Sequence, residues 1–475
     1  MSELPKGWER CLLDEINDPD RPICYGILMP GPDLPIGVPY VKVRNIRGER
    51  ILLDDVHRTS VEIERKYARS RLRAGDLLVS IRGTFGRTAA VPSELDGGNI
   101  TQDTARIAPV GVHPPFVLRY LQSPQAQGFF KSVARGVAVK GVNIGDLRKL
   151  PVAVPPLAEQ ERIVDAIDEA FSKLDAGEAG LRTVRQLLKR MRRAVLAAAA
   201  TGLLVPQDAT DTAAAKVLAD LGVKPFNDPS LPVLPAAWTW ARVQDIGQVD
   251  LGRQRSPKYH SGDNMKPYLR VANVFEDRID TSDVMEMHFE PEAFERSRLA
   301  LGDILLNEGQ TPELLGRPAM YRGEPPEVAF TNSLLRFRAG PGIEPDWALL
   351  VFRHHMHSGR FTRESRITTN IAHLSAARFK PVEFPVPPIE EQRRVVEEFD
   401  RLSSFMAACE RAVDAELARS ASLRRSVLKA AFEGRLVPQD SADEPSSNLL
   451  ARIHADRARS DGSTRGRRRN EVEAS

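Results

Sequence analysis

The 475-residue chain has few cysteines and no long apolar run. Cys11, Cys24 and Cys409 are too few and too widely spaced for a disulfide framework or a zinc site. The longest mostly apolar run, residues 194–205, is about a dozen residues, too short to cross a bilayer. No positively charged leader followed by an apolar stretch is present at the start. We therefore expect a reduced, cytoplasmic setting.

The chain also lacks an excess of charge of one sign. Its 67 basic and 64 acidic residues leave a formal net charge of only +3. A nucleic-acid role cannot rest on bulk charge and requires a segregated basic face. A hydrophobic content of 42% and a charged content of 28% are typical of globular proteins, and the length predicts about three or four domain-sized units.

Signatures of catalysis are missing or incomplete. No Gly-x-x-x-x-Gly-Lys-Ser/Thr occurs, so we expect no ATP-driven motor on this chain. Residues 113–116, His-Pro-Pro-Phe, lack the Asn or Asp that opens the amino-methyltransferase loop. Asp33 and Glu64 match a nuclease metal site only loosely, and the histidines within residues 354–357 have no partner at ligand spacing. We expect neither catalytic nor metal-binding residues here.

What the chain does contain is a duplication. Leu-Pro-x-x-Trp occurs at residues 4–8 and 234–238, and residues 193–208 reappear in altered form as 425–440. The period of about 230 residues makes each copy large enough for a domain with an accessory helix. A pseudo-symmetric molecule suits a ligand that is itself roughly two-fold, and duplex DNA is the commonest such ligand.

Each copy changes its pattern part-way along. Residues 1–150 are strand-rich, with a helical stretch near 115–134, and the run 151–156 ends in two prolines. Residues 157–200 then contain no proline and carry an apolar seam at heptad spacing, which copy two repeats. The seam comprises Ile163, Ile167, Leu174, Leu181, Leu188 and Val195, with Val395, Phe399, Leu402, Met406, Val413 and Val427.

A one-sided seam leaves neither helix stable alone, so we expect the two helices to pack on each other. A 44-residue helix would be about 65 Å long, with a break or kink expected at Gly177 and Gly180. A short helix at 213–219 would limit the reach of the connector and favour an antiparallel pair, with the globular domains at opposite ends. A parallel pair stays open.

The Pro-Pro-x-x-Glu-Gln entry to a long helix also occurs twice, within residues 151–162 and 381–394. Each copy follows a Gly-Asp-Leu/Ile-Leu segment and precedes Gly-x-Leu-Val-Pro-Gln-Asp. In this duplicated set the chain resembles the specificity subunit of type I restriction-modification systems, over nearly its whole length. Glu159-Gln160 and Glu391-Gln392 suit the first helical turn, and Trp8 and Trp238 are expected to be buried anchors.

The resemblance implies an α+β fold with two mixed α/β target recognition domains, two long antiparallel coiled-coil-like helices and a pseudo-two-fold internal repeat. The expected bounds are 1–152 for recognition domain 1, 153–204 for spacer helix 1, 205–233 for the connector, 234–384 for recognition domain 2, 385–436 for spacer helix 2 and 437–475 for a C-terminal segment with a disordered end.

The resemblance also implies a function. Each domain would read one half of a bipartite DNA site, and the helices would dock two adenine methyltransferase subunits, joined by nuclease-translocase subunits. The chain would be a non-catalytic recognition subunit, with S-adenosylmethionine, ATP and Mg²⁺ on its partners. The alternative is a protein–protein scaffold with coiled-coil helices and peptide-binding modules.

Candidate DNA contacts follow from residue type, since Arg and Lys suit guanine and phosphate while Asn and Gln suit adenine. In the first copy they are Arg44, Asn45, Arg47, Arg82, Thr84, Arg87, Gln102, Lys140 and Asn143. In the second copy they are Arg253, Gln254, Arg255, Arg270, Asn273, Asn307, Gln310, Thr311, Arg317, Asn332, Thr369 and Asn370.

Residue type and order also suggest matches between the copies. We align Arg82 with Glu308, and Asn143 with Asn370, although both asparagines could equally be turn formers. The run 253–255 is either a phosphate clamp or a solvated loop.

Overall fold

The computed structural model describes residues 4–136, 140–363, 365–368 and 371–473, which fold into two compact units. Unit 1 comprises Met1–Leu181 and Ala415–Ser475, and unit 2 comprises Arg182–Asp414. The long helices are α5 (Leu157–Ala200) and α12 (Ile389–Phe432), so each contributes one segment to each unit. No helix in the described part of the chain is both long enough and apolar enough to cross a membrane.

The strands of unit 1 build small sheets. They are β1 (Glu9–Leu12), β2 (Cys24–Tyr25), β3 (Val38–Val41), β4 (Ile46–Arg47), β5 (Arg50–Ile51), β6 (His57–Thr59), β7 (Leu77–Ser80), β8 (Thr88–Ala90), β9 (Asn99–Ile100), β10 (Thr104–Ile107) and β11 (Pro151–Val154). A four-stranded antiparallel sheet has the order β2-β10-β7-β8. Its middle strands are buried along their length, as expected for core strands, and are mostly apolar, although β10 also carries the buried Arg106. The others pair as β6-β3-β9, with β3 and β9 parallel, β4-β5 and β1-β11.

Four short helices lie in unit 1: α1 (Val61–Lys66), α2 (Pro114–Gln122), α3 (Pro124–Val133) and α4 (Ile144–Arg148). The longer helix α13 (Ser446–Glu473) follows α12. Prolines occupy the first turns of α2 and α3, where a backbone donor is not needed. Ser123 caps α3 by accepting the amide of Ala126 at 3.2 Å.

Unit 2 repeats this architecture. Its strands are β12 (Thr239–Arg242), β13 (Gly247–Leu251), β14 (Met265–Leu269), β15 (Val274–Phe275), β16 (Arg278–Ile279), β17 (Met285–His288), β18 (Ile304–Asn307), β19 (Gly309–Gln310), β20 (Pro318–Met320), β21 (Ala329–Phe330), β22 (Leu334–Ala339), β23 (Arg366–Thr368), β24 (Ile371–His373) and β25 (Glu383–Val386). Its helices are α6 (Ala214–Asp220), α7 (Val243–Ile246), α8 (Pro291–Ser297), α9 (Pro345–His357), α10 (Arg360–Arg363) and α11 (Ala376–Phe379).

Sheet for sheet, the two units correspond. The order β13-β22-β18-β20 matches β2-β10-β7-β8, and β17-β14-β21 matches β6-β3-β9, including the parallel pair. Unit 2 adds a sheet β19-β24-β23. The predicted internal repeat and α+β fold are confirmed, and α6 is the short helix expected in the connector.

Within unit 1, α5 and α12 run antiparallel. Arg424 donates a hydrogen bond to Asp175 at 2.6 Å, and Ser420 donates one to Glu178 at 2.8 Å. The α12 residue in contact thus has a lower number where the α5 residue has a higher one. The helix continues through Gly177 and Gly180, so the expected break is wrong. The Glu178 contacts hold the helix beside those glycines, where isolated propensity alone favours a break.

Within unit 2, the other segments of the two helices are antiparallel as well. Arg192 pairs with Glu410 at 3.1 Å, and Arg185 pairs with Asp414. Such exposed ion pairs contribute at most about 1 kcal/mol each, so the apolar seam carries the stability. The predicted seam residues are all buried or half-buried.

Some apolar residues at similar spacing face solvent instead. Val184, Met191 and Leu423 are exposed, whereas Phe171, Leu196 and Leu428, to which the heptad pattern did not point, are buried. The reason is that a straight α-helix drifts against a 3.5-residue repeat.

Buried polar contacts fix each long helix to its globular domain. The Gln160 amide accepts the amide of His113 at 2.9 Å and donates to the Pro155 carbonyl at 2.9 Å. Gln392 does the same in unit 2, accepting from Glu344 at 2.8 Å and donating to Pro387 at 3.0 Å. The duplicated Glu-Gln pair is therefore a helix anchor.

The two predicted tryptophan anchors are buried beside these helix starts. Trp8 Nε1 donates to the Glu159 carboxylate at 3.0 Å, and Trp238 packs edge-on against Trp347 with ring centres 5.5 Å apart. Burial raises the pKa of the Glu159 carboxyl.

The C-terminal segment contains the helix α13, and the first turns of that helix pack into unit 1. Leu449, Leu450 and Ile453 of α13 are buried in the core of unit 1, and the Ser446 amide donates to the Gly7 carbonyl at 3.0 Å. From the loss of apolar residues after about residue 448 we expected disorder from there on. That expectation is wrong for residues 449–453, since burial of their apolar side chains offsets the entropy cost of ordering them. In unit 2 the connector makes the matching contact, from Ala214 to Ala237 at 2.9 Å.

Candidate nucleic-acid interface

A cleft of about 970 Å³ opens in unit 1 between the loop after β3 and the turn joining β7 to β8. Five predicted residues that are far apart in sequence meet in its lining: Arg44, Arg47, Arg82, Thr84 and Arg87. We call this the arginine cleft. It supplies the segregated basic face that the overall charge balance requires of a nucleic-acid-binding protein.

Arg87 shapes the cleft from one side. Its guanidinium donates to the carbonyl of Ile46 at 3.3 Å and approaches that of Val43 at 3.5 Å. The loop that carries Arg44 and Arg47 is thereby tied to the β7–β8 turn. Arg87 is a positioning residue as well as part of the lining.

The remaining arginines keep much of their charge available. Arg44 has a half-exposed side chain that bonds to Asp55 at 3.0 Å and His57 at 2.6 Å. Arg82 is 57% exposed and lies 3.9 Å from Asp103, a weak pairing. Arg47 is exposed and has no ion pair with any residue that the structure describes.

Asn45 is a correction to the predicted interface. It is 1% exposed, accepting the Lys42 amide at 2.8 Å and donating to the Asp55 carbonyl at 2.9 Å. Asn273 is equally buried in unit 2 and makes the matching bonds, accepting the Arg270 amide and donating to the Asp283 carbonyl at 2.9 Å. Both asparagines build their loops rather than face a ligand, because a single-turn helix there needs its amides capped.

A second cleft of about 320 Å³ adjoins the first through Arg82. Among the residues that line it are Gln102 and Asn143, both predicted, and Arg135, which we did not predict. Lys140 lies at the edge, where its carbonyl accepts the Gly83 amide at 3.0 Å. Arg135 is brought here by backbone pairing with Gly141, a contact that no sequence spacing reveals.

Unit 2 shows which residues of the two copies are equivalent and corrects both proposed matches. Asn332 and Gln102 are equivalent, because their amides donate to Arg253 and Ile27 at the same sheet edge. Glu308, however, corresponds to Ile81, because the carbonyl of each accepts a backbone amide from the equivalent segment of its unit. Arg82 is therefore equivalent to Gly309. The asparagine match also fails: Asn143 precedes α4 as Ser375 precedes α11. Unit 2 has three more residues between β18 and β20 than unit 1 has between β7 and β8, which misled the alignment.

Several predicted cations of unit 2 are occupied internally. Arg253 is 11% exposed, pairs with Glu290 at 2.5 Å and covers the Tyr259 ring at 4.1 Å, so it is not a phosphate clamp. Arg270 pairs with Asp283. Arg317 lies 4.8 Å from the Phe275 ring centre, and burial lowers its pKa.

The other predicted contacts of unit 2 divide by exposure. Asn307 is fully buried at the end of β18, which removes it from the interface. Gln254, Arg255 and Thr311 are exposed, and Gln310 is half-buried with its side chain accepting the Thr311 amide. Thr369 and Asn370 lie outside the described residues.

The residues considered for catalysis have structural roles. Glu64 is buried and bound by Arg71 at 2.6 Å, and no group of three potential metal ligands occurs among the described residues. His355 is buried, and desolvation lowers its pKa to about 4. Its ring lies 3.0 Å from the Glu383 carbonyl.

Comparison with known proteins bears directly on the arginine cleft. Residues 34–182, which include the whole lining of the cleft, match the family described as "Type I restriction modification DNA specificity domain". Over these residues the chain is similar to type I specificity domains. The resemblance recognised in the sequence is confirmed.

Relatives of this specificity domain extend over different shares of the chain. The EcoBI specificity subunit of Escherichia coli is 31% identical over 206 residues, which is 43% of each protein. The EcoKI specificity subunit of E. coli strain K12 is 23% identical over 365 residues, 75% of this chain and 74% of that one. The chain thus spans less than half of the first relative and about three quarters of the second.

Two solved structures share the fold around the specificity domain. A chain from a study of complex assembly and conformational transition of the type I R-M system gives a TM-score of 0.60 at 19% identity, covering 92% of this chain and all of that one. The HsdS subunit from Thermoanaerobacter tengcongensis gives 0.50 at 20% identity, covering 91% and 98%. These scores support the two-unit α+β architecture.

Proposed function

We propose that the chain is the DNA-reading specificity subunit of a type I restriction-modification complex. The observation that carries the proposal is the position of the arginine cleft inside the type I specificity domain at residues 34–182. Guanidinium groups are the side chains best suited to both phosphates and guanine edges. The surface that we propose for binding lies within the segment that matches the DNA specificity domain.

The site we propose is bipartite, with one half read by each unit. Mismatched base pairs cost about 1–3 kcal/mol each, and linkage makes the second half-site's binding intramolecular, so the two discriminations nearly add. The recognition surfaces of the units differ in sequence, since Gly309 in unit 2 is equivalent to Arg82 in unit 1 and Asn332 is equivalent to Gln102. We therefore expect two different half-sites.

The partners we propose are two adenine methyltransferase subunits and the nuclease-translocase subunits, acting in the cytoplasm. S-adenosylmethionine, ATP and Mg²⁺ would bind those partners, and this chain would contribute no catalytic group. The long helices offer a surface for docking: Val184, Leu187 and Met191 form an exposed apolar stripe on α5. At the equivalent positions α12 has Glu416, Arg419 and Leu423, so two partners would meet unequal surfaces.

The test is selection of bound duplexes from a random library by the full chain, followed by sequencing. We expect an enriched motif of two constant segments separated by a fixed unread gap. Exchanging residues 1–152 for those of a family member with another specificity should change one segment only. A single continuous motif, or a change in both segments, would contradict the assignment of one half-site to each unit.

A further inference from the structure

In the part of unit 2 that the structure describes, the loops equivalent to those of the arginine cleft lack most of its cations. Asn45 and Asn273 hold the same place in their loops, because their carbonyls accept the amides of Leu52 and Asp280. Counting from that pair, Arg44 corresponds to Ala272 and Arg47 to Phe275. Two guanidinium groups in unit 1 are thus replaced by a methyl group and a phenyl ring.

The β7–β8 turn shows the same loss. Arg82 corresponds to Gly309, which pairs with His373 as Arg82 pairs with Gly141. Only Arg87 keeps its charge, because Arg317 occupies its position at the end of the equivalent turn. Four cations in unit 1 therefore correspond to one in unit 2.

That one cation is not available. Arg317 is half-buried beside the Phe275 ring, and the neighbouring carboxylates Glu276 and Asp277 are paired with Arg353 at 3.0 and 3.4 Å. Equivalent loops thus present a basic surface in unit 1 and an internally neutralised one in unit 2.

The arginine cleft also offers charge without free amide donors. Gln127 donates to the carbonyls of Gly86 and Leu121 at 2.9 and 2.8 Å. Gln122 donates to Thr88 at 3.1 Å and accepts from Arg119 at 3.1 Å. Both glutamines of the lining are committed within the protein, as are parts of the Arg44 and Arg87 guanidinium groups. The exposed Arg47 and Arg82 side chains are therefore the donors most available to a ligand. Such a surface recognises charge more than base identity.

We propose that the arginine cleft binds neighbouring phosphates of the DNA backbone and that the equivalent loops described in unit 2 bind phosphate less strongly. This inference rests on the proposed function and specifies how the binding is divided. Each unit still reads its own half-site, but unit 1 supplies most of the charge contacts, whereas unit 2 depends on neutral polar groups such as Gln254 and Asn332, which are exposed. The salt dependence of binding should then arise mainly from unit 1.

The experiment measures the affinity of the full chain for a mixed-sequence 40-base-pair duplex between 50 and 200 mM salt. Each phosphate contact contributes about 0.9 to the log–log slope, so R47A/R82A should lower the slope by about 1.8 and reduce the affinity lost over this range about 12-fold. Both side chains are exposed, so folding should be unaffected, which thermal melting checks.

Two matched double variants remove the same charge elsewhere. R65A/R73A changes exposed arginines of unit 1 outside the cleft lining, and R255A/R278A changes exposed arginines of unit 2. Each should lower the slope by less than half as much as R47A/R82A. Equal slopes for all three variants, or an unchanged slope for R47A/R82A, would overturn the inference. If the unaltered chain shows no salt-dependent DNA binding, the proposed function itself fails.

Discussion

Replacing Phe432 by alanine should destabilise unit 1 through the last turn of α12. The Phe432 side chain is 5% exposed and lies edge-on to Phe116 and Tyr120, with ring centres 5.3 and 5.1 Å apart. Removing a buried phenyl ring leaves a cavity and costs about 3–5 kcal/mol. Both ring partners belong to α2, so the loss falls on the contact between a long helix and the globular part of unit 1.

Phe405 provides the matched control, because it undergoes the same substitution on the same helix while 59% exposed. Its replacement should change stability by less than about 0.5 kcal/mol. Hydrogen exchange of the α2 amides measures the effect, since a loss of 3–5 kcal/mol corresponds to roughly 150- to 5,000-fold faster exchange if these amides exchange by unfolding of unit 1.

Similar exchange in F432A and F405A would refute this account of the helix–domain contact. Acceleration confined to α12 would refute it as well, because the ring contacts would then support the helix alone.

Two further predictions test other parts of the chain. Truncation after residue 445 removes the buried Leu449, Leu450 and Ile453 and should lower the melting temperature of unit 1, whereas truncation after residue 459 keeps them and should leave it unchanged; equal melting temperatures would contradict the role of α13. Glu276 is half-buried, and desolvation raises its pKa, but His357 and Arg353 together hold that pKa at about 2. Because the folded pKa lies below the unfolded value near 4.5, the stabilisation is present above pH 4.5 and lost as the pH falls toward 2. The melting temperature of E276Q should therefore fall less between pH 5 and pH 2.5 than that of the unaltered chain, and parallel profiles would contradict the pairing.

Repetition and periodicity predicted the architecture well. Proline at 155–156 and the proline-free stretch after it place α5 at Leu157–Ala200, as expected. Only some of the residues predicted to contact DNA lie on an accessible surface. Arg47 and Arg82 do line a common cleft, but Asn45, Asn273 and Asn307 have the residue type of an adenine reader and are buried. Residue type indicates what a side chain can bind, whereas exposure depends on packing by distant segments.

By itself, the sequence determined the number of modules, the two long helices and the family, because each depends on local propensity or on a pattern repeated along the chain. Only the tertiary structure decided which cations are available. Arg253 and Arg47 look alike in sequence, yet Glu290 and Tyr259 occupy one while the other remains unpaired among the described residues. The ion pair joins residues 37 positions apart, and the folded backbone alone brings them together.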